Sequence, residues 1–311
     1  MDISVIIPVY NEEENIPILY DRLTGVLSRL GRPFELIFVN DGSRDRSATL
    51  VKDLALQHRE VKYIDFSRNF GHQVAVSAGL DYASGQVVVI IDADLQDPPE
   101  LIIDMYQRWQ DGYEVIYAKR KRRRGESFMK LLTAKVFYRL MARITSIEIP
   151  LDTGDFRLID RKIVNVLKRM PEKHKFLRGQ IAWAGFRQTY VEYERQERLA
   201  GETGYTYRKM LRFALDGITA FSDTPLKLVT FFGIFVSIVA FLVAIYALFG
   251  WLVLKTTVPG WTSLMISVLF IGGVQMIAIG IMGEYLVRMN SNIRNRPLYI
   301  LRDTNIGEPL V

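Results

Sequence analysis

Cysteine is missing from all 311 residues, which excludes disulfide staples and thiolate metal sites and is compatible with a reducing compartment. Internal repeats and low-complexity linkers are missing too, so repeat arrays have no support. The first ten residues lack the build of a secretory signal, because they run straight into an apolar strand pattern. The expectation is that the soluble part stays on the side where it is made. Net charge is also scarce, since a formal balance of +6 is small for this length.

The charge that is present is unevenly placed. Lys119-Arg-Lys-Arg-Arg-Arg124 puts six cations in a row. Such a run suits nucleic acid, anionic lipid or phosphate, and a solvated loop is the plain alternative. Apolar residues are uneven as well. Residues 228–254 and 256–283 carry no charge, and each exceeds the roughly 20 residues a helix needs to cross a bilayer. Buried core helices are the competing reading, but core helices rarely run so long without one charge. Arg208, Lys209, Arg212 and Lys227 precede the first stretch, and Arg288, Arg294 and Arg296 follow the second. Only Lys255 lies between them, so the pattern predicts a hairpin with both ends cytoplasmic in the inner or plasma membrane. Trp251, Trp261 and Tyr285 fit interfacial positions. Small residues recur along both stretches (Ser237, Ala240, Ala244, Ala247, then Gly272, Gly273, Gly280, Gly283). They suit close packing within the hairpin or between subunits of a homo-oligomer.

The first two-thirds alternates strand and helix patterns. Strands are expected at 3–9, 34–39, 62–66, 86–91 and 114–117, with a helix fed by the first strand through the acidic 11–15 and helices at 45–58, 71–83 and 99–111. That order predicts a mostly parallel sheet with helices on both faces. Helix is expected over 127–144, a turn at 150–155, helix again through Met170, and a strand at 186–193. Residues 205–221 place Arg208, Lys209 and Arg212 away from an apolar side, as an interfacial helix does; a surface helix packed on the head is the alternative. The expected division is a head at 1–200, an interfacial segment at 201–226, a membrane hairpin at 227–290 and a cytoplasmic tail at 291–311.

Ligands of such sheets bind beyond the carboxyl ends of the strands. Residues 10–12, 41–43 and 92–96 should therefore meet in one crevice. Asp92-Ala-Asp-Leu-Gln-Asp97 crowds carboxylates and an amide at a strand exit. Hard oxygen ligands of this kind suit Mg²⁺ or Mn²⁺, a few of them sufficing when phosphates complete the shell. Capping of the following helix is the plainer role for such acids.

Several motifs together resemble one family: Val5-Ile-Ile-Pro-Val-Tyr-Asn-Glu-Glu-Glu-Asn15, Val39-Asn-Asp-Gly-Ser43, Asp92-Ala-Asp-Leu-Gln-Asp-Pro-Pro-Glu100, Asp152-Thr-Gly-Asp-Phe-Arg-Leu158 and Gly201-Glu-Thr-Gly-Tyr205. The chain resembles family 2 glycosyltransferases of the polyprenol-phosphate group, which includes dolichol-phosphate mannose synthase and bacterial bactoprenol glucosyltransferases. The resemblance implies a GT-A (Rossmann-like) α/β fold and an enzyme moving a hexose from a nucleoside diphosphate sugar to a polyprenyl phosphate at a membrane, with inversion. It assigns Pro8, Tyr10, Glu12 and Asp41 to the nucleotide, and Asp92, Asp94 and Gln96 to the metal and diphosphate. Arg198 would close over the donor phosphates, and Arg120, Arg123 and Ser127 would take the acceptor phosphate. Asp155 is the family's acid–base candidate, though a phosphate nucleophile needs no strong base, and positioning or a turn cap are alternative roles. Many relatives have Ser-Lys where Thr203-Gly204 stands, so one lysine contact is missing.

The resemblance to bacterial two-span relatives implies UDP-glucose as the favoured donor, ahead of GDP-mannose and an aminoarabinose donor. A processive synthase would carry Gln-x-x-Arg-Trp and more spans; Gln180-Ile-Ala-Trp183 lacks the arginine. A nucleic-acid binder leaves the acidic crevice unexplained, so nucleic acid is not an expected partner. A non-catalytic scaffold is the other rival.

Overall fold

The computed structural model describes residues 1–120, 153–193, 224–249 and 260–307. These divide into two units. The first holds 1–120, 153–193 and 295–307, and the second holds 224–249 and 260–294.

The first unit opens as the hydrophobic pattern predicts: β1 (Ile3–Val9), α1 (Ile16–Leu30), β2 (Phe34–Asn40), α2 (Ser47–Gln57), β3 (Val61–Phe66), α3 (His72–Tyr82), β4 (Val87–Ile90), α4 (Leu101–Gln110) and β5 (Val115–Arg120). With β6 (Thr153–Asp160), β7 (Gln188–Tyr193) and β8 (Leu301–Thr304), the sheet order is β7-β5-β6-β4-β1-β2-β3-β8, with β6 and β8 antiparallel to their neighbours. Every residue of β1 is buried, as expected of a central strand covered on both faces. One face packs Leu19, Leu23 and Leu27 of α1 and Ile102 and Met105 of α4. The other packs Ala75, Val76 and Leu80 of α3 and Ile163, Val164 and Leu167 from the second half of the head. Each large aliphatic among these contributes roughly 1.5–3 kcal/mol.

One expectation is overturned after the basic run. Residues 153–160 were expected to turn and then join a helix through Met170, but Thr153–Asp160 forms strand β6 between β4 and β5. Phe156, Leu158 and Ile159 are wholly buried there, and Arg157 nearly so, so an apolar strand is interrupted by buried charge. The helix starts only at α5 (Arg161–Lys168), where the Asp160 carboxylate accepts from the Lys162 amide at 2.8 Å. A short α6 (Leu177–Trp183) and edge strand β7 (Gln188–Tyr193) complete this part.

Periodicity gave no reason to expect the eighth strand. β8 (Leu301–Thr304) pairs antiparallel with β3, Ile64 opposite Thr304 and Asp65 opposite Asp303. Lys52 Nζ lies 2.8 Å from Asp303 and 3.4 Å from buried Asp65. Tyr299 stacks on Phe66 at 5.1 Å and donates its hydroxyl to Asp81 at 3.0 Å. The segment closes a ladder that β3 would otherwise leave open. Tyr299→Ala should cost about 2–4 kcal/mol of local stability. Hydrogen exchange would read this as amides of β3 exchanging at least roughly tenfold faster, with β1 unchanged; equal exchange would show that β8 holds nothing.

The second unit is two helices, α7 (Thr224–Phe249) and α8 (Trp261–Ile293). Both are long and apolar enough to cross a membrane, with windows at 226–243 and 270–293 of mean hydropathy 2.5 and 1.6. The second helix ends at Ile293, just beyond the expected hairpin end at 290, and it outlasts its uncharged stretch: Glu284 and Arg288 pair one turn apart at 3.6 Å. Among the described residues, a Cβ added at Gly233, Gly272, Gly273, Gly280 or Gly283 meets no atom within 4 Å. Those glycines are not consumed by packing in the described hairpin. The expected helices at 127–144 and 205–221 lie outside the described residues, as does Lys255 between the two apolar stretches.

Candidate active site

The carboxyl ends of β1, β2 and β4 open on one cavity of about 300 Å³. Pro8, Tyr10 and Glu12 enter it from β1 and its exit, Asp41 from the end of β2, Asn69, Gly71 and His72 from the start of α3, and Asp92 and Asp94 from the end of β4. Six of the residues expected at the site are thus brought together. The exit loops are joined directly. The Asn11 amide donates to Ser43 Oγ at 3.0 Å, the Arg44 amide to Asn11 Oδ1 at 2.8 Å and the Glu12 amide to Ser47 Oγ at 2.9 Å. Tyr10 is 43% exposed, which leaves it open to a planar base.

Asp41 turns its carboxylate onto the chain. It accepts from the Phe70 amide at 2.6 Å and the Gly71 amide at 3.0 Å, which fixes the start of α3. Burial pushes its pKa up, and those two amides pull partly back. Gly42 makes this approach feasible: its φ is +69°, and a Cβ there would lie 2.5 Å from the Arg68 carbonyl carbon and the Asn69 nitrogen. Only glycine tolerates both.

The acidic loop turns sharply after β4. Buried Leu95 takes a left-handed φ of 58°, a conformation costing a non-glycine residue about 1–3 kcal/mol. Asp94 Oδ1 accepts from the Gln96 amide at 3.2 Å. Asp97 is buried and accepts from the Tyr193 hydroxyl, which ties the loop to the end of β7. Gln96 is buried beside the cavity residues without lining the cavity itself.

Asp92 Oδ1 and Gln96 Oε1 are buried and accept no hydrogen bond, although His72 Nε2 stands 3.6 Å from the Asp92 oxygen, beyond hydrogen-bond reach. Orphaned oxygens are costly unless something binds them, and two hard oxygens with Asp94 alongside fit a Mg²⁺ or Mn²⁺ ion that also takes substrate phosphates. Among the described residues no group of three or more His, Cys, Asp or Glu forms a complete cage.

Asp155 stands outside the cavity lining and joins it through His72. Arg178 Nε lies 2.8 Å and Arg157 3.5 Å from Asp155 Oδ1, while His72 Nε2 is 3.3 Å from Oδ2. Burial alone would raise the Asp155 pKa, but the Arg178 charge, the His72 hydrogen bond and Arg157 hold it well below the usual carboxylate range. For Asp92 burial dominates and pushes its pKa up, against the charge of His72. Burial also lowers His72, but the Asp155 hydrogen bond and the two carboxylate charges more than reverse that. Sequence reasoning missed His72, Gln73 and Arg178. It missed Arg157 as well: an arginine inside a buried strand demands a counter-charge, and Asp155 lies two residues away on the same face, but that signal needs the strand, which the sequence pattern did not show.

Arg123, Ser127 and Arg198 lie outside the described residues, as does the side chain of Arg120, whose backbone ends β5.

A mostly parallel sheet with an acidic cleft at its carboxyl edge suits a glycosyltransferase head, and the family match makes this one. The chain belongs to glycosyl transferase family 2, whose profile matches residues 4–167. It is 50% identical over 299 residues to the uncharacterized glycosyltransferase YkcC of Bacillus subtilis (strain 168), covering 96% of this chain and 93% of that one. It is 46% identical over 303 residues to the uncharacterized glycosyltransferase sll0501 of Synechocystis sp., covering 97% and 95%. It is 40% identical over 309 residues to the SfII prophage-derived bactoprenol glucosyl transferase of Shigella flexneri, covering 99% and 100%. The similarity thus runs through the apolar helices as well as the head.

Proposed function

We propose that the protein transfers glucose from UDP-glucose to a polyprenyl phosphate, undecaprenyl phosphate in bacteria, with inversion at the anomeric carbon. The observation that carries this is one cavity joining the β1, β2 and β4 exits, with a buried Asp92 oxygen that accepts no hydrogen bond at its acidic end. Similarity across nearly the full length to bactoprenol glucosyl transferases supports the acceptor and the sugar. GDP-mannose and an aminoarabinose donor are the runners-up.

In this reading Tyr10, Pro8, Glu12 and Asp41 bind the nucleoside, the two acids accepting from N–H and hydroxyl groups. Asp92 and Asp94, with Gln96, hold the cation. When bound, a Mg²⁺ or Mn²⁺ ion neutralises charge on the leaving diphosphate. Arg198 adds positive charge at the same group, where bond-breaking builds it. Arg120 and Arg123 present planar donor forks to the acceptor phosphate, and Ser127 its hydroxyl. That phosphate has a second pKa of about 6 and is largely dianionic near neutrality, so it attacks without a strong base. Asp155 then positions the sugar or the acceptor.

The remaining layout follows the same reading: a head over 1–200, an interfacial segment at 201–226, a hairpin at 227–290 and a tail at 291–311. Cations flanking both apolar stretches put the head and both termini on the cytoplasmic face of the plasma membrane. The unconsumed glycine faces suit self-association through the hairpin.

The test is to incubate purified protein with undecaprenyl phosphate, Mg²⁺ or Mn²⁺ and labelled UDP- and GDP-sugars. Label from UDP-glucose should enter the lipid phase. Transfer from another donor alone would reassign the sugar, and no transfer from any would sink the reading.

A further inference from the structure

His72 stands between two carboxylates delivered by neighbouring strands. Asp92 follows β4 and Asp155 sits in β6, with Ile90 opposite Arg157 in the antiparallel register. Continued two residues, that register sets the two acids side by side. Like charges so placed repel. His72 Nε2 lies 3.6 Å from Asp92 Oδ1 and 3.3 Å from Asp155 Oδ2.

Charge balance for Asp155 does not require this histidine. Arg178 and Arg157 already face its Oδ1. On Oδ2, Gln73 Nε2 stands 3.4 Å away beside His72. What His72 adds is reach to Asp92. Its own place is set from two directions. The Asp41 carboxylate pins the Phe70 and Gly71 amides just before it, and Gln73 just after it accepts from the Leu177 amide of α6 at 3.2 Å. A rigid span therefore runs from the nucleoside end of the cavity to Asp155, with His72 at its middle.

We propose that His72 is a positioning residue for the transfer: it sets the spacing between Asp92 and Asp155, and so the alignment of the donor diphosphate with the sugar beyond it. This rests on the donor-site reading of the cavity. A side chain that only supported the fold would affect stability or donor affinity. One that sets alignment acts on turnover, because a displacement of about 1 Å can cost about 10²-fold in rate.

The experiment uses the full-length protein in the lipid-transfer assay. His72→Ala should lower kcat about 10- to 100-fold while the donor KM moves less than about threefold. His72→Gln, which keeps an N–H donor, should recover about tenfold of any such loss. In His72→Ala combined with Asp155→Asn, the losses should fall short of multiplying, as for groups acting as a unit. Unchanged kcat in His72→Ala with wild-type transfer intact overturns the proposal alone. So does a loss confined to KM, or multiplying losses without rescue by glutamine. No transfer by the wild-type protein from any donor would instead remove the donor-site reading, and this proposal with it.

Discussion

Asp92→Asn is expected to lower glycosyl transfer by about 10²- to 10³-fold, the scale seen when one preorganised electrostatic group is taken from a developing charge. Asp92 leaves β4 at the floor of the cavity, with Oδ1 buried and accepting no hydrogen bond. An isosteric amide keeps the volume and removes the negative charge that a divalent cation needs. The fold should survive, since burial already disfavours the ionised form of this carboxyl, and the melting temperature should hold or rise. Two readouts separate this from a general defect. Calorimetry should show Mn²⁺-dependent UDP binding in the wild-type protein and its loss in the variant, and chelation with EDTA should bring wild-type transfer down to the level of the variant. Transfer by Asp92→Asn within about threefold of wild type would remove this carboxylate from the chemistry.

The strands of the head were legible because burial on both faces writes them as continuous apolar runs, as in Ile3–Val9, all of it buried. β6 was hidden for the opposite reason. Asp155 and Arg157 neutralise each other inside the strand, and two charges among apolar residues read as a turn when their partners are unseen. β8 was hidden because an edge strand with exposed Arg302 and Asp303 needs little apolar surface. Its stability comes from Lys52, Tyr63 and Phe66, more than two hundred residues away in sequence, and no local pattern encodes that pairing.

The site divides along the same line. Asp92, Asp94, Asp41 and Glu12 follow strand ends, so locating the strands locates them. His72 and Gln73 sit at the start of α3 with no local cue to their targets. Arg178 reaches Asp155 from α6, a helix too short to announce itself by period. What could not be read is thus a set of partnerships between segments, while the chemical groups themselves were visible.

Asp155→Ala should be the most damaging single change at this site. Arg157 is 5% exposed, and its guanidinium would keep the Gly154 and Asp155 backbone carbonyls as acceptors at 2.9 and 3.2 Å but lose its counter-charge. Arg178 would lose its contact with this carboxylate, and His72 one of its two acidic neighbours. Uncovering one side of a buried pair costs about 3–5 kcal/mol, so lower thermal stability and near-complete loss of transfer should appear together. Asp155→Asn tests the role more finely, since it keeps the shape and an acceptor oxygen and removes the charge. A general base works best with a pKa near the working pH, and Asp155 is held well below the usual carboxylate range. Because its folded pKa is depressed, its contribution to stability is complete above the ordinary carboxylate pKa of about 4 and fades only as pH falls below that. Wild-type kcat should therefore show no limb from Asp155 between about pH 5 and 8. If Asp155 positions, Asp155→Asn should retain measurable transfer with the same profile. If it were the base, Asp155→Asn would lose at least about 10³-fold, and the wild-type profile would carry an ionisation that the variant lacks.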